Sequence, residues 1–178
     1  MKLLGIAGTI IGSKTATAVQ QVLQHIKQNH PGIETEMLDL KQYDVQFCDG
    51  RNPADYTGDT KTVIDKIMAA DFFVIGTPIF QSSIPAPLKN IFDLVPSSAF
   101  YNKVIGFIAT GGTYHHYLVV ENQLKPIAGY FRAYVAPSYV YVQDEQYDEN
   151  NQIIDAEIHR RLEKLAEEIV HMQTKLKA

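Results

Sequence analysis

Three short, almost wholly apolar runs constrain this chain most: Leu3 to Ala7, Phe72 to Gly76 and Val104 to Ala109. Each stops at a loop of Gly, Thr, Ser or Pro, after which apolar residues return at helical spacing. A run of five or six apolar residues without polar alternation suits a strand covered on both faces of a parallel sheet. Open α/β sheets bind ligands beyond the carboxyl ends of such strands, so the three loops are the first places to look for a site.

The remaining segments complete the rhythm. Lys14 to Asn29 is expected to be a helix with Val19, Val22, Leu23 and Ile26 facing inward, ended by His30-Pro31-Gly32. Ile33 to Leu40 is a more polar strand and is placed at an edge. Lys41 to Gly58 has no clear period and is long enough to suggest a functional loop. Thr60 to Ala70 is a helix presenting Val63, Ile64, Ile67 and Met68, and a short helix carries Leu88, Ile91, Phe92 and Val95. Tyr117 to Gly129 is expected to be a helix whose last turn Pro126 breaks or kinks. Tyr134 to Val142 is a fifth strand interrupted by Pro137, at an edge or with a bulge. Asp144 to Asn151 is an acidic loop, and Asp155 to Lys175 is a helix striped by Ile158, Leu162, Leu165, Ile169, Met172 and, just beyond, Leu176. Five alternations of strand and helix imply a doubly wound five-stranded parallel sheet with helices on both faces, for which the commonest order, 2-1-3-4-5, is flavodoxin-like.

Composition narrows the function classes. The 178 residues are expected to form one domain, residues 1–178, without metal or disulfide support. A net charge of -4 disfavours nucleic acid and anionic membranes, and the single cysteine, Cys48, rules out an internal disulfide framework. No run approaches the ~18 apolar residues of a membrane span, and Leu3 to Ala7 is too short for a signal peptide, so the expected location is the cytoplasm. His115-His116 lacks companion ligands, and no metal site is expected.

In the first loop, Gly8-Thr9-Ile10-Ile11-Gly12-Ser13-Lys14-Thr15, hydroxyls and amides converge at a helix N-terminus, which favours an anion. The competing account is that Ser13 merely caps the helix. The second loop runs from Gly76 to Pro87 with three prolines and two serines, either a binding wall or an ordinary strand-to-helix connection.

Read together, the loops resemble the NADPH-dependent FMN reductase family of flavodoxin-like proteins. The likeness is strongest to the small reductases that supply reduced flavin to two-component alkanesulfonate monooxygenases. It is carried by Gly8-Thr9 to Thr15, by Thr77-Pro78-Ile79-Phe80 with Ser83 and Leu88-Lys89, and by Ala109-Thr110-Gly111-Gly112-Thr113 with His116 and Leu124-Lys125-Pro126. The resemblance implies that Thr9, Ser13, Lys14 and Thr15 hold the FMN phosphate. It implies that Thr77, Pro78, Ile79, Phe80 and Gln81 line the isoalloxazine ring, and that Thr110, Gly111, Gly112 and Thr113 meet its pyrimidine edge. The chain departs from the family at Ile11, where relatives often carry arginine, and at Phe80, where many have tyrosine.

The activity so implied is hydride transfer from NADPH or NADH to FMN, which needs no catalytic acid, base or metal from the protein. A partner monooxygenase is implied for the reduced flavin. The alternatives are a reductase that keeps its FMN and reduces quinones or azo dyes, and a flavodoxin-type electron carrier, which this modest net charge disfavours. The family forms dimers or tetramers, and Tyr117, Leu118, Val119, Val120 and Leu124 make an apolar surface too broad for one sheet-facing stripe, so a homodimer or homotetramer is expected.

Overall fold

The apolar runs form the centre of one parallel sheet. In the computed structural model, which describes residues 1–177 and only the backbone of Tyr114, the elements are β1 (Lys2–Ala7), α1 (Lys14–Asn29), β2 (Glu34–Asp39), α2 (Gly58–Ala69), β3 (Phe72–Pro78), α3 (Ala86–Leu94), β4 (Val104–Gly111), α4 (Lys125–Tyr130), β5 (Tyr134–Val135), β6 (Val140–Gln143) and α5 (Ala156–Lys177). The strand order is β2-β1-β3-β4-β5, as expected, with every pairing parallel and β6 also on β4. β2, the polar strand, pairs only with β1 and lies at the edge.

Because side chains alternate across a strand, the central strands feed two separate cores. Leu4, Ile6, Phe73, Ile75, Ile105 and Phe107 pack with residues of α2, α3 and α4, whereas Leu3, Phe72, Val74, Val104 and Ile108 pack with α1 and α5. On the second face Gly76 lets α1 come close: a Cβ there would stand 2.5 Å from Val19 Cγ2. The Gly8 amide then donates to the Gly76 carbonyl at 2.8 Å, which lays the first loop along the end of β3.

Four expectations are corrected. The fifth strand is two short strands, β5 and β6, because Pro137 has no N–H for the ladder and the Ser138 amide turns to Glu168 Oε2 at 3.0 Å. The helix expected over Tyr117 to Gly129 starts later, and Val120–Leu124 wind as a π-helix in which the Lys125 amide donates to the Val120 carbonyl. That wide turn precedes Pro126, and the helix continues through α4 to Tyr130, so of the break or kink expected at Pro126 the break does not occur. Met68 and Leu176, assigned to apolar stripes, are both largely exposed, at the far edges of their helices' buried faces.

The long segment between the 3₁₀ turn at Leu40–Gln42 and α2 is fastened down. Asn90 accepts from the Cys48 amide at 2.8 Å and donates to the Gln46 carbonyl at 2.9 Å, while the buried Tyr56 phenol bonds to Asp49. Only Phe47, at 76% exposure, projects from it as a large apolar side chain.

Candidate functional site

The loops after β1, β3 and β4 meet at the carboxyl edge of the sheet, joined by the segment that follows β6. Between them lies a cavity of about 390 Å³, within the usual range for small-molecule sites.

The first loop supplies Ser13, Lys14 and Thr15, together with Ile11 and Gly12. Ser13 stands at the N-cap of α1, yet its side chain makes no capping bond and the first turn holds no acidic residue. The account in which Ser13 merely caps the helix therefore lacks its defining bond, and the positive end of α1 opens on the cavity with its hydroxyl uncommitted to the helix. Thr15 and Thr110 bond to each other through Oγ1 at 2.9 Å and are both buried, which ties the first loop to the third. Thr9 does not line the cavity. Its Oγ1 accepts from the Ile11 amide and donates to the Ile11 carbonyl, both at 3.2 Å, closing the loop and turning Ile10 and Ile11 outward.

Pro78, Ile79 and Phe80 form the apolar wall. The Ile79 amide donates to the Thr110 carbonyl at 2.9 Å, and Phe80 and Ser83 exchange both backbone bonds across a two-residue hairpin. Its central residues, Gln81 and Ser82, have φ of 50° and 60°, the left-handed conformation that such tight hairpins demand and that non-glycine residues adopt at some cost. Gln123, in the π-helical turn, clamps this hairpin. Its Oε1 accepts from Ser83 Oγ at 2.8 Å and from the Ile84 amide at 3.3 Å, and its Nε2 donates to the Ser82 carbonyl at 3.3 Å. Gln81 does not line the cavity, and Thr77 is fully buried, its hydroxyl donating to the Pro78 carbonyl at 3.0 Å.

Thr110, Gly111 and Gly112 line the third side, whereas Thr113 lies outside, its carbonyl accepting from Tyr141 Oη at 2.7 Å. Gly111 is required less by any ligand than by this phenol: a Cβ at Gly111 would stand 2.4 Å from Tyr141 Oη.

Four lining residues lie outside the expected set: Ile11 and Gly12, within the first loop, and Asp144 and Asn151, at the two ends of the acidic loop. Lys14 Nζ pairs with Asp144 Oδ1 at 2.7 Å and lies 5.3 Å from the Tyr147 ring centre, while Tyr147 Oη donates to the Lys14 carbonyl at 3.1 Å. Burial, and then the Asp144 carboxylate, push the Tyr147 phenol well above its ordinary range, so it stays a neutral donor. Asn151 reaches the cavity from a turn in which Asp148 Oδ1 accepts the amides of Asn150 and Gln152. No local signal marks Asp144 or Asn151 as part of a site. Asp144 meets the first loop across 130 positions of sequence, through Lys14.

One side of the cavity is thus aliphatic and aromatic, and the other offers a helix N-terminus, hydroxyls and one lysine. This suits a planar ligand with a polar edge and an anionic tail, and the donors fit a flavin mononucleotide with one reservation of charge at Asp144. Among the described residues, no buried side-chain nitrogen or oxygen lacks a partner. No helix among them is long and apolar enough to cross a membrane.

Comparison with known proteins agrees with this geometry. The family described as NADPH-dependent FMN reductase matches residues 1–147. An "NAD(P)H-dependent FAD/FMN reductase" of Geobacillus thermodenitrificans is 53% identical over 178 residues, covering 100% of this chain and 96% of its own. Among solved structures, the apo form of an NADH:FMN oxidoreductase (EMOB) superposes with a TM-score of 0.78 at 21% identity, covering 98% of this chain and 89% of that one. A short-chain flavodoxin from a bacterial microcompartment superposes with a TM-score of 0.68 at 14% identity, covering 97% and 99%, which extends the likeness to the flavodoxin-like fold.

Proposed function

Since the chain belongs to the NADPH-dependent FMN reductase family, we propose that the cavity beyond β1, β3 and β4 is where it oxidises NADPH or NADH at the expense of FMN. The observation that carries this is the meeting of an uncapped helix N-terminus with an apolar wall in one preformed cavity. FMN, when bound, supplies the ring that accepts the hydride. The protein's share is to bind, orient and keep water out. Ser13, the Lys14 ammonium and the first-turn amides of α1 would hold the phosphate, with Thr15 bracing the loop against Thr110. Pro78, Ile79 and Phe80 would cover a ring face, and the backbone of Thr110 to Gly112 would meet the polar edge. Thr9, Thr77, Gln81 and Thr113 act behind this surface, shaping the loops.

Delivery of reduced flavin to a monooxygenase is the physiological outlet of this reading, and the quinone or azo-dye reductase that retains FMN is the second. Of the apolar surface expected to mediate assembly, Val119, Val120 and Leu124 are buried within the chain, and the homo-oligomer reading rests on the exposed Tyr117 and Leu118, apolar side chains of the kind that subunit contacts cover.

The deciding experiment is pyridine-nucleotide oxidation by the purified chain, with free FMN, a quinone and an azo dye compared as acceptors. Saturable turnover with added FMN is the expected result. A yellow protein that turns over only with quinone or dye would establish the second reading, and one reduced by neither nucleotide would leave only an electron carrier.

A further inference from the structure

The phosphate end of the cavity holds an ion pair of its own, and a second ammonium, that of Lys41, lies just outside the lining on the Gly12 carbonyl at 3.1 Å. Among the residues lining it Lys14 is the only lysine or arginine, and its ammonium is already held by Asp144 at 2.7 Å. The carboxylate is not on a loose loop. The Gln143 amide donates to Gln146 Oε1 at 2.8 Å in a reciprocal capping box around the turn Asp144–Gln146. Tyr147, next in the chain, is buried and bonded to the Lys14 carbonyl. The second carboxylate oxygen, Oδ2, faces the third loop, 3.2 Å from where a Cβ on Gly112 would be. An incoming phosphate therefore meets a carboxylate seated between the first and third loops, and must take Lys14 from it.

We infer that Asp144 sets flavin affinity: by holding Lys14 and by repelling the phosphate, it keeps FMN binding weak enough for flavin to exchange as a substrate. This rests on the reductase reading above and adds the residue that decides between released and retained flavin. The pair is partly exposed, with side-chain exposures of 32% and 59%, so the effect is moderate and screened by salt. A phosphate monoester carries close to two charges, which raises the effect above that of an ordinary surface pair.

The test is the dissociation constant of FMN and of riboflavin, read by quenching of flavin fluorescence, for wild type, Asp144→Asn, Lys14→Gln and the double variant. Asp144→Asn is expected to tighten FMN about three- to thirty-fold at low salt, with riboflavin, which lacks the phosphate, unchanged within about two-fold. In the Lys14→Gln background the gain is expected to shrink, because only the direct repulsion remains to be relieved. Unchanged or weaker FMN binding by Asp144→Asn, or equal tightening of both flavins, would overturn the inference while leaving the reductase reading intact. A wild-type protein that binds neither flavin would overturn both. Asp144→Ala serves as a second variant: it removes the charge without an amide to re-engage Lys14, and must shift FMN in the same direction.

Discussion

Adding one methyl group at Gly111 is expected to disturb the third loop through a single atom. A Cβ there would stand 2.4 Å from Tyr141 Oη, with the next ring atoms at 3.4 and 3.8 Å. The phenol cannot move aside freely, because Tyr141 is 7% exposed and its hydroxyl donates to the Thr113 carbonyl at 2.7 Å. Gly111→Ala therefore either overpacks this contact or breaks the hydrogen bond, together a cost of about 2–4 kcal/mol. For a chain of this size that lowers the Tm by about 5–15 °C. Tyr141→Phe alone is expected to cost about 1 kcal/mol for the lost hydrogen bond. In the double variant the nearest atom would be a ring carbon at 3.4 Å, an ordinary contact, so the alanine is expected to add less than about 1 kcal/mol. Urea denaturation of the four proteins gives the coupling directly. If Gly111→Ala costs the same with and without the tyrosine hydroxyl, the steric argument fails and Gly111 is needed for its backbone alone.

Two further outcomes test other parts of the molecule. Gln123→Ala removes all three bonds of the amide to the Phe80–Ser83 hairpin, and is expected to raise the riboflavin dissociation constant about ten-fold while costing only about 1–2 kcal/mol in stability; Gln123→Glu, which keeps the two acceptor bonds, should recover part of the binding in a flavin titration. Glu36 concerns pH: burial alone would raise its carboxyl, but hydrogen bonds from Lys2 and Lys66 outweigh it and hold the folded-state value below the usual 4.5. A depressed acid contributes stability above its unfolded value and loses it as pH falls through the folded one, so Glu36→Gln is expected to cost about 1 kcal/mol at pH 7 and to match wild type in the acid limit, below both values, as thermal melts at several pH values would reveal.

How much of this was legible in the sequence follows from how local each cause is. The runs Leu3 to Ala7, Phe72 to Gly76 and Val104 to Ala109 are buried from both sides, so composition alone marks them as central strands. The inward faces of α1 and α5 likewise follow from spacing, apart from Leu176, because a helix places every third or fourth residue on one side. Met68 and Leu176 escaped for the same reason in reverse: periodicity assigns a face but not where the neighbouring layer ends. Pro126 does not break the helix, because the Val120–Leu124 turn that precedes it is wound one residue wider than an α-helical ladder. Gln81 and Ser82 carry none of the glycine or asparagine that normally announces a tight hairpin. Their turn is held from outside, by Gln123.

The site divides along the same line. Residues that line the cavity because they follow a strand, such as Ser13, Pro78 and Thr110, were legible as neighbours because the sheet order forces the carboxyl ends of adjacent strands together. Asp144 also follows a strand, but β6 begins only after the interruption at Pro137, and an acidic residue in an acidic loop is ordinarily solvated. What gives it a role is the return of Tyr147 to the Lys14 carbonyl, a contact 133 positions apart that carries the carboxylate to the mouth of the cavity. With Lys14 paired to Asp144, the first loop would offer an anionic tail the amides and hydroxyls at the start of α1 together with an ammonium that a carboxylate already holds, so on the proposed reading affinity turns on the charge balance between these two side chains.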